Sequence, residues 1–225
     1  MTDKKQKLPS FTTPKGVFKW PRLNEPDTKY KAEGLYSVKL ILDEQSAKAL
    51  IAKLQPHFDA AVAEAKEKYA ALPVKTRKEK EFKTNKFFSP VYDEDTEEET
   101  GDVEFNFKMT ASGVSKKTNK PWKRAPRIFD ARGQVMTKAP SIWGGTVGKV
   151  AFEVMPYFNN AQCEGGLSLR LDAVQVIELV SGGGKSASAY GFGEEEGYEH
   201  DNDAFADESD STDNGSAGGS EDDQF

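Results

Sequence analysis

The sequence predicts an all-β fold with one long helix, an OB-fold-like small barrel followed by a disordered acidic C-terminal tail, and three observations carry that prediction. Apolar residues alternate with polar ones in several separated runs, each reading as a strand with a buried face. One stretch, residues 47–69, instead repeats its apolar residues at intervals of three and four, the mark of an amphipathic helix. The charge is also split. Residues 1–185 hold all 31 basic residues of the 225-residue chain against 24 acidic ones, a net +7, whereas residues 186–225 hold 13 acidic residues and no basic one, a net −13. The expected organisation is a folded domain over residues 1–180 and a disordered tail over 181–225.

Residues 17–20 form a short first strand candidate. Residues 34–42 give a longer one, with Tyr36, Val38, Leu40 and Leu42 alternating against Leu35, Ser37, Lys39 and Ile41. Asp43 or Ser46 caps the helix, whose apolar stripe is Ala47, Leu50, Ile51, Leu54, Phe58, Ala61, Val62, Ala65 and Tyr69. Pro56 lacks a backbone donor and is expected to kink or divide it. The basic residues 75–86 and the acidic residues 93–104 read as solvated loops. Residues 104–111 alternate again, Phe105, Phe107, Met109 and Ala111 against Asn106, Lys108 and Thr110. A polar connection over residues 116–126 carries Trp122 and leads to a short strand near residues 127–129. Gly144, Gly145 and Gly148 then introduce two longer strands, residues 147–157 and 167–179. Five or more strands, one helix and turn-rich connections fit a small barrel. From Ser181 onward Gly, Ser, Asp and Glu cannot bury enough apolar surface to offset an ordering entropy of about 1–2 kcal/mol per residue.

With only Cys163, His57 and His200, neither a zinc site nor a disulfide framework can be assembled within the chain. No apolar stretch approaches the roughly 20 residues that span a bilayer, and residues 1–7 are charged where a signal peptide needs an apolar core. The expected location is cytoplasmic. Gly184, Lys185 and Ser186 imitate the end of a phosphate loop, but Leu179 stands where its first glycine is required. The carboxylates of residues 93–104 lack the order of a calcium loop. His57 reads as packing beside the helix stripe, Cys163 as an exposed or half-buried thiol, and the Asn214-Gly215-Ser216 sequon has no secretion signal to support it. No catalytic constellation emerges, so neither enzyme activity, metal nor cofactor is expected.

What remains is a basic body in which aromatics sit beside cations. Lys15, Lys19 and Trp20 form one group, with Phe18 and Arg22; Lys116, Lys117, Lys120, Trp122, Lys123, Arg124 and Arg127 form another. Trp143 and Tyr157 stand apart, and Lys39, Lys108 and Lys149 add cations from the predicted strands. Rings stack on unpaired bases while Lys and Arg follow phosphates, a mixture suited to a single strand of nucleic acid. Trp20 and Trp143 fit a core as well as a stacking role; Trp122, among charges in a turn-rich stretch, is expected to be exposed. The competing readings are an acidic-tailed protein-interaction module that does not bind nucleic acid, and a metal nuclease built on residues 93–104.

Several short motifs point further: Phe105-Asn106-Phe107-Lys108 with Ala111-Ser112, Gly144-Gly145 before Lys149-Val150, Pro156-Tyr157 with Asn159, and Ser168-Leu169 through Glu178-Leu179. In this order, and with the acidic tail ending in Phe225, the chain resembles the bacteriophage T7-type (podovirus) single-stranded DNA-binding protein family. The resemblance implies an OB fold with an early helix and sequence-nonspecific binding of single-stranded DNA in replication, recombination or repair. It also implies a tail that engages replication proteins, the replicative polymerase and helicase/primase, and leaves a homodimer open. By the same resemblance Tyr157 is a stacking residue and Phe225 the tail's anchor. A terminal aromatic preceded by Glu221, Asp222 and Asp223 suits an apolar pocket ringed by cations. Glu33 departs from the pattern, standing where a basic residue is expected.

Overall fold

The computed structural model describes residues 8–181 apart from 94 and 116. The expected acidic tail with Glu221, Asp222, Asp223 and Phe225, the glycine run at 182–184 and the 214–216 sequon lie outside the described residues, as does Lys116. In chain order the elements are β1 (Ser10–Thr12), β2 (Gly16–Asp27), β3 (Leu35–Leu42), α1 (Glu44–Ala70), α2 (Val74–Glu79), β4 (Lys83–Asn85) and β5 (Phe88–Tyr92). They continue with β6 (Glu99–Thr110), β7 (Ser112–Val114), β8 (Pro121–Lys123), β9 (Arg127–Phe129), β10 (Val147–Asn159) and β11 (Glu164–Glu178).

Five strands close into a ring. β2 pairs with β3 and β3 with β6, both antiparallel; β6 meets β11 in parallel, β11 runs antiparallel to β10, and β10 returns to β2. This is the five-stranded Greek-key barrel of the OB type. Alternation sends one face of each strand inward, so Phe18, Val38, Leu40, Phe105, Phe107, Val150 and Phe152 fill the interior without exposure to solvent or nearly so. The rings of Phe107 and Phe152 sit 4.9 Å apart, centroid to centroid, at its centre.

The seam where the ring closes has no room for side chains. Gly16 and Gly148 are register partners across β2 and β10. A Cβ on Gly148 would lie 2.4 Å from the Gln175 carbonyl oxygen and 2.6 Å from Phe18 Cζ; one on Gly16 would lie 2.5 Å from the Ile41 oxygen. Glycine is therefore required there by close approach of backbone and core.

The helix lies against β10 and β11. Asp43 is its cap, its carboxylate accepting the Ser46 N–H at 2.9 Å, and this hydrogen bond holds the Asp43 carboxyl below its ordinary value. Ala47, Leu50, Leu54, Ala61 and Ala65 of the predicted stripe are buried. Pro56 neither ends nor divides the helix. Pro56 and Ala52, whose carbonyl loses its donor, both lie on the exposed side, where water can satisfy that oxygen, while the buried stripe on either side stays packed.

Other expectations are corrected by long-range pairing. The first strand runs well beyond residues 17–20, because β2 follows β3 as far as Asp27↔Leu35. Residues 75–86 are not a loop: they hold α2 and β4, with Lys83–Asn85 added in parallel to β11 and Phe82 packed 5.7 Å from Tyr69. Residues 93–104 form the turn and first half of the β5–β6 hairpin, where Asp93 accepts from the backbone of Asp95 and Thr96. The polar connection at 116–126 includes β8, which pairs with β7. Cys163 is fully buried instead of exposed or half-buried, since its turn between β10 and β11 folds inward with a φ of 53°. His57 meets the expectation of packing, its ring 5.4 Å from Phe11.

Gly148→Ala should lower stability by about 1–3 kcal/mol, the usual cost of overpacking a filled core. Urea unfolding of the two proteins measures it, and an unchanged midpoint would show that the seam can yield.

Candidate nucleic-acid interface

The inward residues of β3 and β6 dictate what faces outward. Ser37, Lys39, Asn106 and Lys108 occupy the outer face, and the register sets Lys19 opposite Lys39, Lys39 opposite Asn106, and Ser37 opposite Lys108. A groove of about 490 Å³ crosses this face. Lys39, Asn106 and Lys108 line it from β3 and β6, and Met155, Tyr157 and Ser168 line it from β10 and β11. Residues 85–89 form its wall, held by β4 on β11 and by β5 on β6; they contribute Asn85, Lys86 and Phe88, with the Lys86 ammonium 5.8 Å from the Phe88 ring.

Three ammonium groups, on Lys39, Lys86 and Lys108, face one groove carboxylate, Glu104, which takes a 2.7 Å ion pair with Lys39. The groove is thus net positive and open enough for a chain of phosphates. Tyr157 is fixed at its edge: the hydroxyl donates to Glu164 Oε1 at 2.8 Å and accepts from Asn85 Nδ2 at 3.0 Å. Partial burial, and then the Glu164 bond, raise its hydroxyl pKa above the ordinary 10.0.

Lys39 also links the groove to an aromatic recess. The ammonium groups of Lys19 and Lys39 each lie 4.8 Å from the Trp20 ring centroid, a doubly cation-flanked indole. Trp20 is 67% exposed and Trp143 46%, so neither belongs to the core. The two line one recess with Arg22. The outward turn of Trp20 has a local cause: β2 loses register between Lys19 and Arg22, and Trp20 adopts a φ of 48°, a left-handed conformation uncommon for a bulky residue and further disfavoured before Pro21. Such an irregularity re-aims a side chain from one face to another.

The remaining predicted residues fall elsewhere. Trp122 is exposed, as expected, yet at 36% it is the least exposed of the three tryptophans, lying over Gly113 with its ring 5.1 Å from the Arg124 guanidinium. Lys117, Lys120 and Lys123 are exposed around the β7–β8 hairpin. Arg124 and Arg127 line a separate recess. Lys15 lies apart from the groove in a 3.7 Å pair with Glu178, and Lys149 lies on β10 opposite Gln175. Sequence reasoning missed Lys86, Phe88, Asn85 and Arg170. The first two carried the same signal used elsewhere, an aromatic near a cation, but Lys86 ended a stretch read as a loop and Phe88 lay just beyond it.

An OB-type barrel with lysines and aromatic rings along its outer face has the architecture of single-strand nucleic-acid binders. Residues 12–179 match the model of the family described as single-stranded DNA-binding protein, bacteriophage T7, and the chain belongs to that family. The single-stranded DNA-binding protein of Escherichia phage T7 is 29% identical over 168 residues, covering 73% of this chain and 71% of that one. Its counterpart in Enterobacteria phage T3 is 28% identical over 154 residues, 67% and 65% of the two chains. The crystal structure of gp2.5, the single-stranded DNA-binding protein encoded by bacteriophage T7, superposes with a TM-score of 0.64 at 26% identity, covering 87% of this chain and all of that one. The bacteriophage Enc34 single-stranded DNA-binding protein, in complex with single-stranded DNA, shares the fold at a TM-score of 0.51 and 15% identity, over 78% and 89% of the chains.

The raised Tyr157 value gives a pH signature. The fold favours the protonated hydroxyl, so the stabilisation is complete below pH 10 and is lost as pH rises from there through the raised native value. Tyr157→Phe should remove this alkaline component. Denaturant midpoints of the two proteins across that range measure it, and parallel pH profiles would contradict the assignment.

Proposed function

We propose that this chain is a non-catalytic, sequence-nonspecific single-stranded DNA-binding protein acting in phage DNA replication, recombination or repair in the host cytoplasm. One observation supports the reading above others: a continuous stripe from Trp143 and Trp20, across Lys19, Lys39 and Lys108, to Tyr157. Lysines on the stripe displace counterions from phosphates, a sequence-independent gain that falls with salt. Exposed rings supply stacking of about 1–3 kcal/mol per base, tolerant of base identity because every base has a π-face. A duplex keeps its bases stacked on one another and offers these rings nothing. The names of the family and of its T7 and T3 relatives agree with this reading.

The acidic residues 186–225 serve a second task in the proposal, recruitment. Phe225 with Glu221, Asp222 and Asp223 docks into a cation-ringed apolar pocket of the replicative polymerase or helicase/primase. The body at residues 1–180 then holds DNA while the tail at 181–225 holds the partner.

Fluorescence anisotropy with a labelled oligonucleotide, single-stranded or annealed, tests the first claim. Single strands should bind more tightly, and binding should weaken with salt by a log–log slope near −0.7 for each phosphate contacted. Trp20→Ala and Tyr157→Ala should each cost about 1–3 kcal/mol with the slope preserved, whereas Lys108→Gln should reduce the slope by about 0.7. Duplex affinity equal to or above that for single strands would overturn the proposal. Deleting Phe225 alone should abolish capture of the polymerase or helicase/primase while single-strand affinity stays near wild type; intact capture would remove the anchor from the account.

A further inference from the structure

Beyond the groove, across the parallel seam between β6 and β11, lies a recess of about 240 Å³ lined by three arginines, Arg124, Arg127 and Arg170, together with Glu153 and Asp172. Arg170 is the register partner of Lys108, the groove's own cation, and its Nη1 lies 3.8 Å from Met155 Sδ, which lines the groove. The recess therefore begins where the groove ends. Arg124 is pre-set within it: its Nε donates to the Thr110 carbonyl at 2.8 Å, its backbone N–H to Ala111 at 2.8 Å, and its guanidinium faces the Trp122 ring. Its two terminal nitrogens have no hydrogen-bond partner among the described residues.

Three guanidinium groups share the space with two carboxylates, and the pairing is loose. Arg170 approaches Glu153 only to 4.0 Å, and Arg127 forms no ion pair among the described residues. Partial desolvation, and then repulsion from Arg170, lower the Arg124 pKa against the opposing attraction of Glu153 and Asp172. A guanidinium offers paired donors that match two oxygens of one phosphate, which an ammonium cannot do.

We propose that Arg124, Arg127 and Arg170 form a phosphodiester-binding site that carries the backbone of a single strand out of the groove and toward the β7–β8 hairpin. This inference rests on the single-strand reading above. The ligand is an internal phosphodiester, so the site adds affinity only for strands long enough to cross the β6–β11 seam.

The test compares the full chain, Arg170→Gln and Arg170→Lys by anisotropy against oligothymidylates of graded length, each with and without a 5′-phosphate, over a salt titration. Thermal melts establish that both variants are folded. On long strands Arg170→Gln should bind about tenfold more weakly at low salt and lose about 0.7 from the log–log slope. Arg170→Lys should keep the slope while losing part of the affinity. The shortest strands that bind should not distinguish the three proteins. Unchanged affinity and slope at every length would overturn the site while leaving the single-strand function standing. A loss confined to 5′-phosphorylated strands would replace the internal phosphodiester with a terminal phosphate. A loss that vanishes once residues 186–225 are deleted would show that the chain's own carboxylates are the anion. Wild-type protein that binds no strand at any length would overturn the function itself.

Discussion

Closure of the barrel at the Gly16–Gly148 seam is the constraint on which the rest depends. The missing side chains let β2 and β10 meet over Phe18, and that contact joins the two ends of the five-strand ring. Once the ring is closed, each strand has one inward and one outward face, and the inward set is fixed by apolar burial. A slip of one residue in β3 would bury Lys39 and expose Leu40, an exchange the core would resist through both desolvation and lost packing. The outward display of Lys19, Lys39, Asn106 and Lys108 is thus a consequence of how the core packs.

Two local devices turn that display into a site. The irregularity at Trp20 turns an indole away from the interior and places it between two ammonium groups, and the segment from β4 to β5 raises a wall beside the outer face of the barrel. The first adds nothing to the core, whereas the second also seats the buried Phe87 against Phe58 and Phe105. Both shape the surface: Trp20 at the cost of a left-handed backbone conformation, and the wall through a three-residue parallel pairing and the Asn85–Tyr157–Glu164 hydrogen bonds that tie it down. Glu104 tempers the groove's charge and holds Lys39 in place, so one of the two cations flanking Trp20 is positioned before any ligand arrives.

The elements legible in the sequence were those whose pattern is local. The alternation around Tyr36–Leu42 and Phe105–Met109 gave β3 and the inner half of β6, the three-and-four stripe gave α1, and Asp43 was one of two named caps. What was illegible depends on distant partners. Lys83–Asn85 is too short to show a period and is a strand only because β11 accepts it; Asp27 belongs to β2 only because Leu35 pairs with it. Of the groove, Lys39, Lys108 and Tyr157 were named from sequence, and Trp20 was left between core and surface because a break in register has no signature in composition. Arg170 escaped notice because it stands alone in a strand of apolar neighbours, and only the register with Lys108 gives it company.

The central claim is that a single strand lies across the outer faces of β2, β3 and β6 and reaches Tyr157. Lysine footprinting, acetylation of the full chain with and without a saturating single-stranded oligonucleotide, tests it most directly. The account predicts protection of Lys19, Lys39, Lys86 and Lys108 with no change at Lys53 and Lys66 on the exposed side of α1 or at Lys15. Protection of the helix lysines with the groove lysines left reactive would contradict it.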